Sequence, residues 1–182
     1  LYFGDDEDSN LHINQAEKLS KESDNEIKWL NQDKIYFDAY QQVSTSGGDR
    51  FPDAKAAINS NIFKGALIAH YIGHGGPRGW AQERVIDNND IASWENENKY
   101  PLIVTATCTF GGYDDYTTLT GGEQALIKSQ SGAIALFTTV RAVFIDANNR
   151  LTDAVQLQLF KPKSIGDILK DAKNTLSSGN ED

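Results

Sequence analysis

Methionine is absent from the 182 residues, cysteine occurs once, and proline and histidine are scarce at four and three. A chain without methionine lacks an initiator, and no secretory signal opens it, so it is expected to be an internal piece of a larger protein. The single thiol, Cys108, excludes an intramolecular disulfide and with it a disulfide scaffold or a paired-cysteine metal motif. Three histidines (His12, His70 and His74) are too few to suggest a multi-ligand zinc site, so no metal is expected there. Positive charge is also short: 17 Lys and Arg against 26 Asp and Glu leave a net charge of −9. Such a surface repels polyphosphate and argues against nucleic acid as a partner. The longest apolar runs, Gly65 to Gly73 and Gly132 to Val140, fall well below the roughly 20 residues of a membrane-spanning helix.

What is present reads as one α/β domain over residues 1–182. Short, near-continuously apolar segments at Leu1 to Gly4, Ala66 to Ile72, Pro101 to Thr107 and Ala133 to Val140 predict buried strands. Lys34 to about Asp38 adds another. Helices are expected from Pro52 to about Lys64, after the Thr120-Gly-Gly-Glu123 capping box, and over Leu151 to Phe160 and Ile165 to Leu176. Leu11 to Leu30 fits a helical face only loosely, and Ser20 to Asn25 is polar enough for a loop. Strands alternating with helices imply a mostly parallel sheet with helices on both faces, and ligands bind such sheets at the carboxyl ends of the strands.

The residues at those ends are therefore the informative ones. Gly73-His74-Gly75-Gly76 follows the third strand and Cys108 the fourth, which places an imidazole and a thiol at one sheet edge. That pair is a base and a nucleophile. Gly75 and Gly76 leave backbone N–H groups open to a substrate carbonyl, so Gly75 N–H and Cys108 N–H are the expected oxyanion hole. A lone cysteine or histidine at a strand end is ordinarily a core residue; the pair with its glycine turn is what points to catalysis. His70, inside the strand, reads as a hydrogen-bonded core residue and His12 as a surface one. Asp5, Asp6, Glu7 and Asp8 could orient His74, with Asp6 preferred as the third catalytic residue, could ligate a structural Ca²⁺, or could form a solvated turn. Asp114 and Asp115 could cap their loop or meet a basic substrate side chain. Arg78 stands where a dinucleotide-binding loop needs its third glycine, and no Gly-x-Ser-x-Gly elbow occurs, which sets aside nucleotide binding and serine hydrolysis.

The strand Ala66 to Ile72 with Gly73-His74-Gly75-Gly76, the segment Gly79-Trp80-Ala81-Gln82-Glu83-Arg84, the strand end Thr105-Ala106-Thr107-Cys108 and Gly132-Ala133-Ile134-Ala135 resemble the gingipain-like cysteine peptidases. Within them, Asp38 to Val43 and the Asp5 to Asp8 cluster look most like the sortase subgroup of bacterial type IX secretion. The resemblance implies a caspase-like fold, His74 as general base and acid, Cys108 as nucleophile, and no required cofactor. It further implies cleavage of carboxy-terminal sorting signals from secreted cargo at the outer membrane surface, beside other secretion-system components. Water or an amine of an anionic lipopolysaccharide would then resolve the acyl-enzyme. Ile72, Ala106 and the loop Thr139 to Arg141 are the expected substrate pocket by position and analogy; Arg141 would recognise a carboxylate there or pair with Asp146. The glycines of Thr109-Phe110-Gly111-Gly112-Tyr113 depart from the bulkier residues expected in the subgroup.

Overall fold

Five short apolar segments set the frame of the computed structural model, which describes residues 1–177. In chain order the elements are β1 (Tyr2–Gly4), α1 (Glu7–Glu26), β2 (Lys34–Tyr36), a 3-10 turn (Phe37–Ala39), β3 (Val43–Thr45), β4 (Gly48–Arg50), α2 (Pro52–Lys64) and β5 (Ile68–Ile72). There follow β6 (Gly75–Gly76), β7 (Gly79–Trp80), β8 (Ile86–Asp87), α3 (Asn88–Ser93), β9 (Leu102–Ala106), α4 (Gly121–Ile127), β10 (Ala135–Phe137), α5 (Ile145–Leu159) and α6 (Ile165–Ser177). The main sheet has the order β10-β9-β5-β1-β2, and every pairing in it is parallel. Parallel strands need crossovers, and the helices supply them on both faces.

The two faces are chemically distinct. One is a continuous apolar core in which Phe3, Tyr71, Trp80 and Phe110 meet Ala54, Ile58 and Ile62 of α2, Ile91 of α3 and Ala125 of α4. Its centre is a ring stack: Tyr71 lies 4.7 Å from Trp80 at 9°, and Trp80 also meets Phe3 and Phe110. On the other face Ala16 and Leu19 of α1 cover Tyr2, Ile72 and Ala106, while α5 and α6 form a smaller cluster through Ala154, Val155, Ile168 and Ala172.

The expected α/β fold with a mostly parallel sheet is borne out, and several boundaries shift. The segment from Ser20 to Asn25, expected as a loop, is helical. Its two serines are buried and bonded: Ser20 Oγ donates to Gln32 Oε1 at 2.6 Å, and Ser23 Oγ is shared between the Tyr2 hydroxyl and Gln156 Nε2. A polar stripe satisfied by tertiary partners looks like a loop in sequence. The second strand stops at Tyr36, and the last is confined to Ala135–Phe137 because Thr139 and Arg141 bond to the segment after β9 instead. Between β2 and α2 the chain forms the antiparallel β3–β4 hairpin, with Val43 opposite Arg50 and Thr45 opposite Gly48. At α4 the capping box is present as expected: Thr120 Oγ1 accepts the Glu123 N–H, and Glu123 returns a carboxylate to the Thr120 N–H at 2.9 Å.

Candidate active site

His74 and Cys108 each lie two residues beyond a register pair, Ile72 opposite Ala106, at the carboxyl ends of adjacent strands. One further bond continues the ladder past the strands, from Gly73 N–H to Ala106 C=O at 3.2 Å. The two chain ends therefore leave the sheet side by side.

The backbone of His74 is fixed at both groups. Its N–H donates to Asp5 Oδ2 at 2.8 Å, and its carbonyl accepts the Tyr71 hydroxyl and the Ala81 N–H, the latter at 2.8 Å. Asp5 and Tyr71 are fully buried, so their geometry is set by the core. Gly73 makes this approach possible, because a Cβ there would run into Asp5 Cβ and the Tyr71 hydroxyl. Gly75 lies directly against the residue before Cys108: a Cβ on it would collide with Thr107 Oγ1. Beneath the turn, Trp80 anchors β7 in the aromatic stack with no exposed surface.

The acid on the imidazole is Asp8, not Asp6. Asp8 Oδ2 lies 2.8 Å from His74 Nε2, and Glu7 Oε2 lies 3.8 Å from the same nitrogen. The His74 bond holds the Asp8 carboxyl below the usual carboxylate range. Asp6 instead occupies the N-cap position of α1, where burial pushes its carboxyl up and leaves Oδ1 without a partner. The chain reaches Asp8 through a left-handed turn, with φ of 54°, 58° and 61° at Asp8, Ser9 and Asn10. Sequence spacing carries no sign of that turn, which is why Asp6 rather than Asp8 is expected from it to face the ring. The acidic run is distributed, with Asp5 on the His74 backbone, Glu7 accepting from Gln82 Nε2 and Asp8 on the imidazole.

Beside that pair stands a residue the sequence reading puts on the surface. His12 is 5% exposed, its ring meets His74 edge-on at 5.2 Å between centroids, and its Nε2 lies 3.3 Å from Asp8 Oδ2. The available signal was helical: His12, Ala16 and Leu19 share the buried stripe of α1, and Asp8 precedes His12 by four residues. His70 is a core residue as expected, stacked on Tyr2 at 5.7 Å, but neither ring nitrogen has a hydrogen-bond partner among the described residues. Burial pushes its pKa down to about 3.

Cys108 is half-buried. Its thiol donates to Val143 C=O at 3.8 Å and accepts from the Val143 N–H at 3.5 Å. Its loop is laced to the chain after β10: Thr109 N–H donates to Arg141 C=O at 3.1 Å, Gly111 N–H to Thr139 C=O at 3.0 Å, and Thr139 Oγ1 donates to Thr107 C=O. None of the described hydrogen bonds joins the thiol to the imidazole.

The expected pocket residues fall in different places. Ile72 and Ala106, 2% and 4% exposed, pack beneath α1 and are core, because their side chains project onto the helix-covered face rather than the sheet edge. Thr139 ties the loop that carries Cys108. Arg141 pairs through two nitrogens with Asp114, at 2.9 and 2.6 Å, and not with Asp146. The open volume at the site is a cleft of about 700 Å³ beside His74, walled by Gly76, Arg78, Arg84, Asp87 and Asn89.

A family model described as peptidase family C25 matches residues 1–182. No curated protein matches the sequence. Among solved structures, the complex of Porphyromonas gingivalis RgpB pro- and mature domains is similar at a TM-score of 0.75 and 13% identity, over 97% of this chain and 42% of that one. The Arg-specific cysteine proteinase gingipain R (RgpB) is similar at 0.78 and 12%, over 98% and 41%. A third structure, titled only as a protease, reaches 0.57 and 18% over 68% and 32%. The chain thus spans about two fifths of the length of the two gingipain structures.

Proposed function

The chain belongs to peptidase family C25, and from that premise we propose that it carries the catalytic dyad of a cysteine endopeptidase, with Cys108 as nucleophile and His74 as general base and acid. The observation that carries this reading is the register: Ile72 opposes Ala106, so His74 and Cys108 follow at equal distance on adjacent parallel strands, with Gly75 pressed against Thr107. The thiol, activated by transfer of its proton to His74, attacks the scissile carbonyl. Negative charge on the carbonyl oxygen falls to Gly75 N–H and Cys108 N–H. His74 then protonates the departing amine, leaving a thioester on Cys108. Asp5 and Tyr71 hold the His74 backbone, and Asp8 orients its ring.

The finer reading is a sortase-type transpeptidase acting at the bacterial cell surface on the carboxy-terminal sorting signals of secreted cargo. Water resolves the thioester to an acid and an amine acceptor resolves it to an amide; only the second nucleophile differs. Lipopolysaccharide amines and other secretion-system components are its expected partners. Two arginines in the cleft wall, Arg78 and Arg84, favour a carboxylate-bearing segment over a basic one.

The test is incubation of the full-length protein with tagged cargo, with and without a primary amine, read by intact-mass spectrometry. Wild type is expected to release the signal and, with amine present, to yield the amide. Cys108→Ala is expected to do neither. Processing that survives Cys108→Ala overturns the peptidase reading. Cleavage that never yields the amide overturns only the transpeptidase one.

A further inference from the structure

Asp8, His12 and His74 converge on one point: each offers a ligand atom, and these atoms all lie within 4.8 Å of one another. We propose that they form a binding site for a divalent transition ion of the zinc class, and that occupancy of this site switches the peptidase off. The metal site stands on geometry alone; its regulatory consequence rests on the peptidase reading above.

The separations suit such an ion. Donor atoms bound at about 2.0–2.2 Å around a tetrahedral zinc stand roughly 3.3 Å apart. Asp8 Oδ2 lies 2.8 Å from His74 Nε2 and 3.3 Å from His12 Nε2. Two imidazoles and a carboxylate make the ligand set of three protein donors plus an open position, which borderline-soft ions prefer over Ca²⁺ or Mg²⁺. Glu7 Oε2, 3.8 Å from His74 Nε2, stands at the rim of the same point.

The independent observation is His12. It is buried, and among the described residues its Nε2 has no partner in hydrogen-bond geometry, although Asp8 Oδ2 faces it at 3.3 Å. Its other nitrogen, Nδ1, lies 3.4 Å from Gln15 Oε1, a carboxamide oxygen that can only accept. With Nδ1 turned to Gln15, Nε2 faces the Asp8 carboxylate directly. A cation at that spot satisfies both. Gln15 also supplies the outer hydrogen bond that metal-ligating histidines characteristically make.

The consequence for catalysis follows from His74 Nε2 being the third donor. With a metal there, a neutral imidazole carries its one proton on Nδ1 and has no lone pair left for the thiol proton. The base is removed without any change at Cys108. Reversible sequestration of this kind suits a secreted or surface peptidase that has to stay silent until it meets its cargo.

Cobalt(II) is the probe, because its visible bands report imidazole and carboxylate ligation directly. In the full-length protein and in Cys108→Ala, titration is expected to give the same Co²⁺ site, displaced by Zn²⁺. His12→Phe and the exposed-site variant Asp8→Asn are each expected to weaken it by roughly tenfold or more, with circular dichroism confirming the fold. Peptidase activity of wild type is expected to fall on Zn²⁺ addition and return on chelation, while His12→Phe stays active at the same Zn²⁺. No Co²⁺ site, a site that survives His12→Phe, or one lost in Cys108→Ala would overturn the proposal. Binding in Cys108→Ala without any peptidase activity in wild type would uphold the metal site and sink the peptidase reading instead.

Discussion

His70 makes this fold acid-sensitive by a calculable amount. Its ring is fully buried on β5 against Tyr2, neither nitrogen is bonded, and burial takes its pKa from 6.5 to about 3. The unfolded chain binds this proton near pH 6.5, whereas the folded chain resists it until about pH 3. Between those values the unfolded state holds more protons, so stability falls as the pH falls. At pH 4.5 the difference amounts to about 3 kcal/mol, reaching about 4 at pH 3. For a domain of this size, 3 kcal/mol corresponds to a Tm loss of roughly 6–12 °C. His70→Phe keeps the ring shape and removes the titration, together with two unpartnered polar atoms whose burial is itself unfavourable. Urea unfolding of both proteins at pH 7.5 and 4.5 is the assay. Wild type is expected to lose about 3 kcal/mol more than the variant between the two conditions, and the variant to be no less stable at pH 7.5. Asp6, Glu7 and Glu83, whose carboxyls burial pushes up, act in the opposite sense but equally in both proteins, so they cancel. Equal losses in the two proteins would refute the reasoning.

Two further substitutions probe the frame and the site. Asn96 is fully buried and holds the turn before β10 by accepting the Gly132 N–H and the Ser131 hydroxyl, at 2.8 and 2.9 Å, and donating to Gly132 C=O at 2.8 Å. Asn96→Ala strands the N–H and C=O of Gly132, while the Ser131 hydroxyl keeps Trp94 C=O at 2.6 Å, and is expected to cost roughly 3 kcal/mol in urea unfolding; a loss under about 0.5 would show that the turn holds by other means. Gly75→Ala places a Cβ against Thr107 Oγ1 and shifts the backbone N–H assigned to the oxyanion. It is expected to lower kcat about 100-fold with KM little changed, and an unchanged kcat would remove Gly75 from the oxyanion hole.

The frame was legible because its signals are local. Ala66 to Ile72 and Pro101 to Thr107 are short, apolar and bounded by glycine, proline or polar residues, which is how a strand buried on both faces has to read. Pro52 marks a helix start through its fixed backbone angle, and the Thr120 to Glu123 box through bonds that span four residues. What misled were residues whose partners lie far along the chain. Ser23 looks like a loop residue until Tyr2 and Gln156 are brought to it. Arg141 chooses Asp114, 27 residues away, over the nearby Asp146.

The sequence by itself determined the parallel α/β architecture and the placement of one imidazole and one thiol at the ends of two strands, since apolar periodicity and the chemistry of the strand-end residues are written in the order of the chain. Only the tertiary structure decided which acid meets His74, that His12 is buried beside it, and that Ile72 and Ala106 are core. Those outcomes depend on a left-handed turn at Asp8 to Asn10 and on the face that α1 lays against the sheet. Both are settled by packing between segments that sequence proximity does not connect.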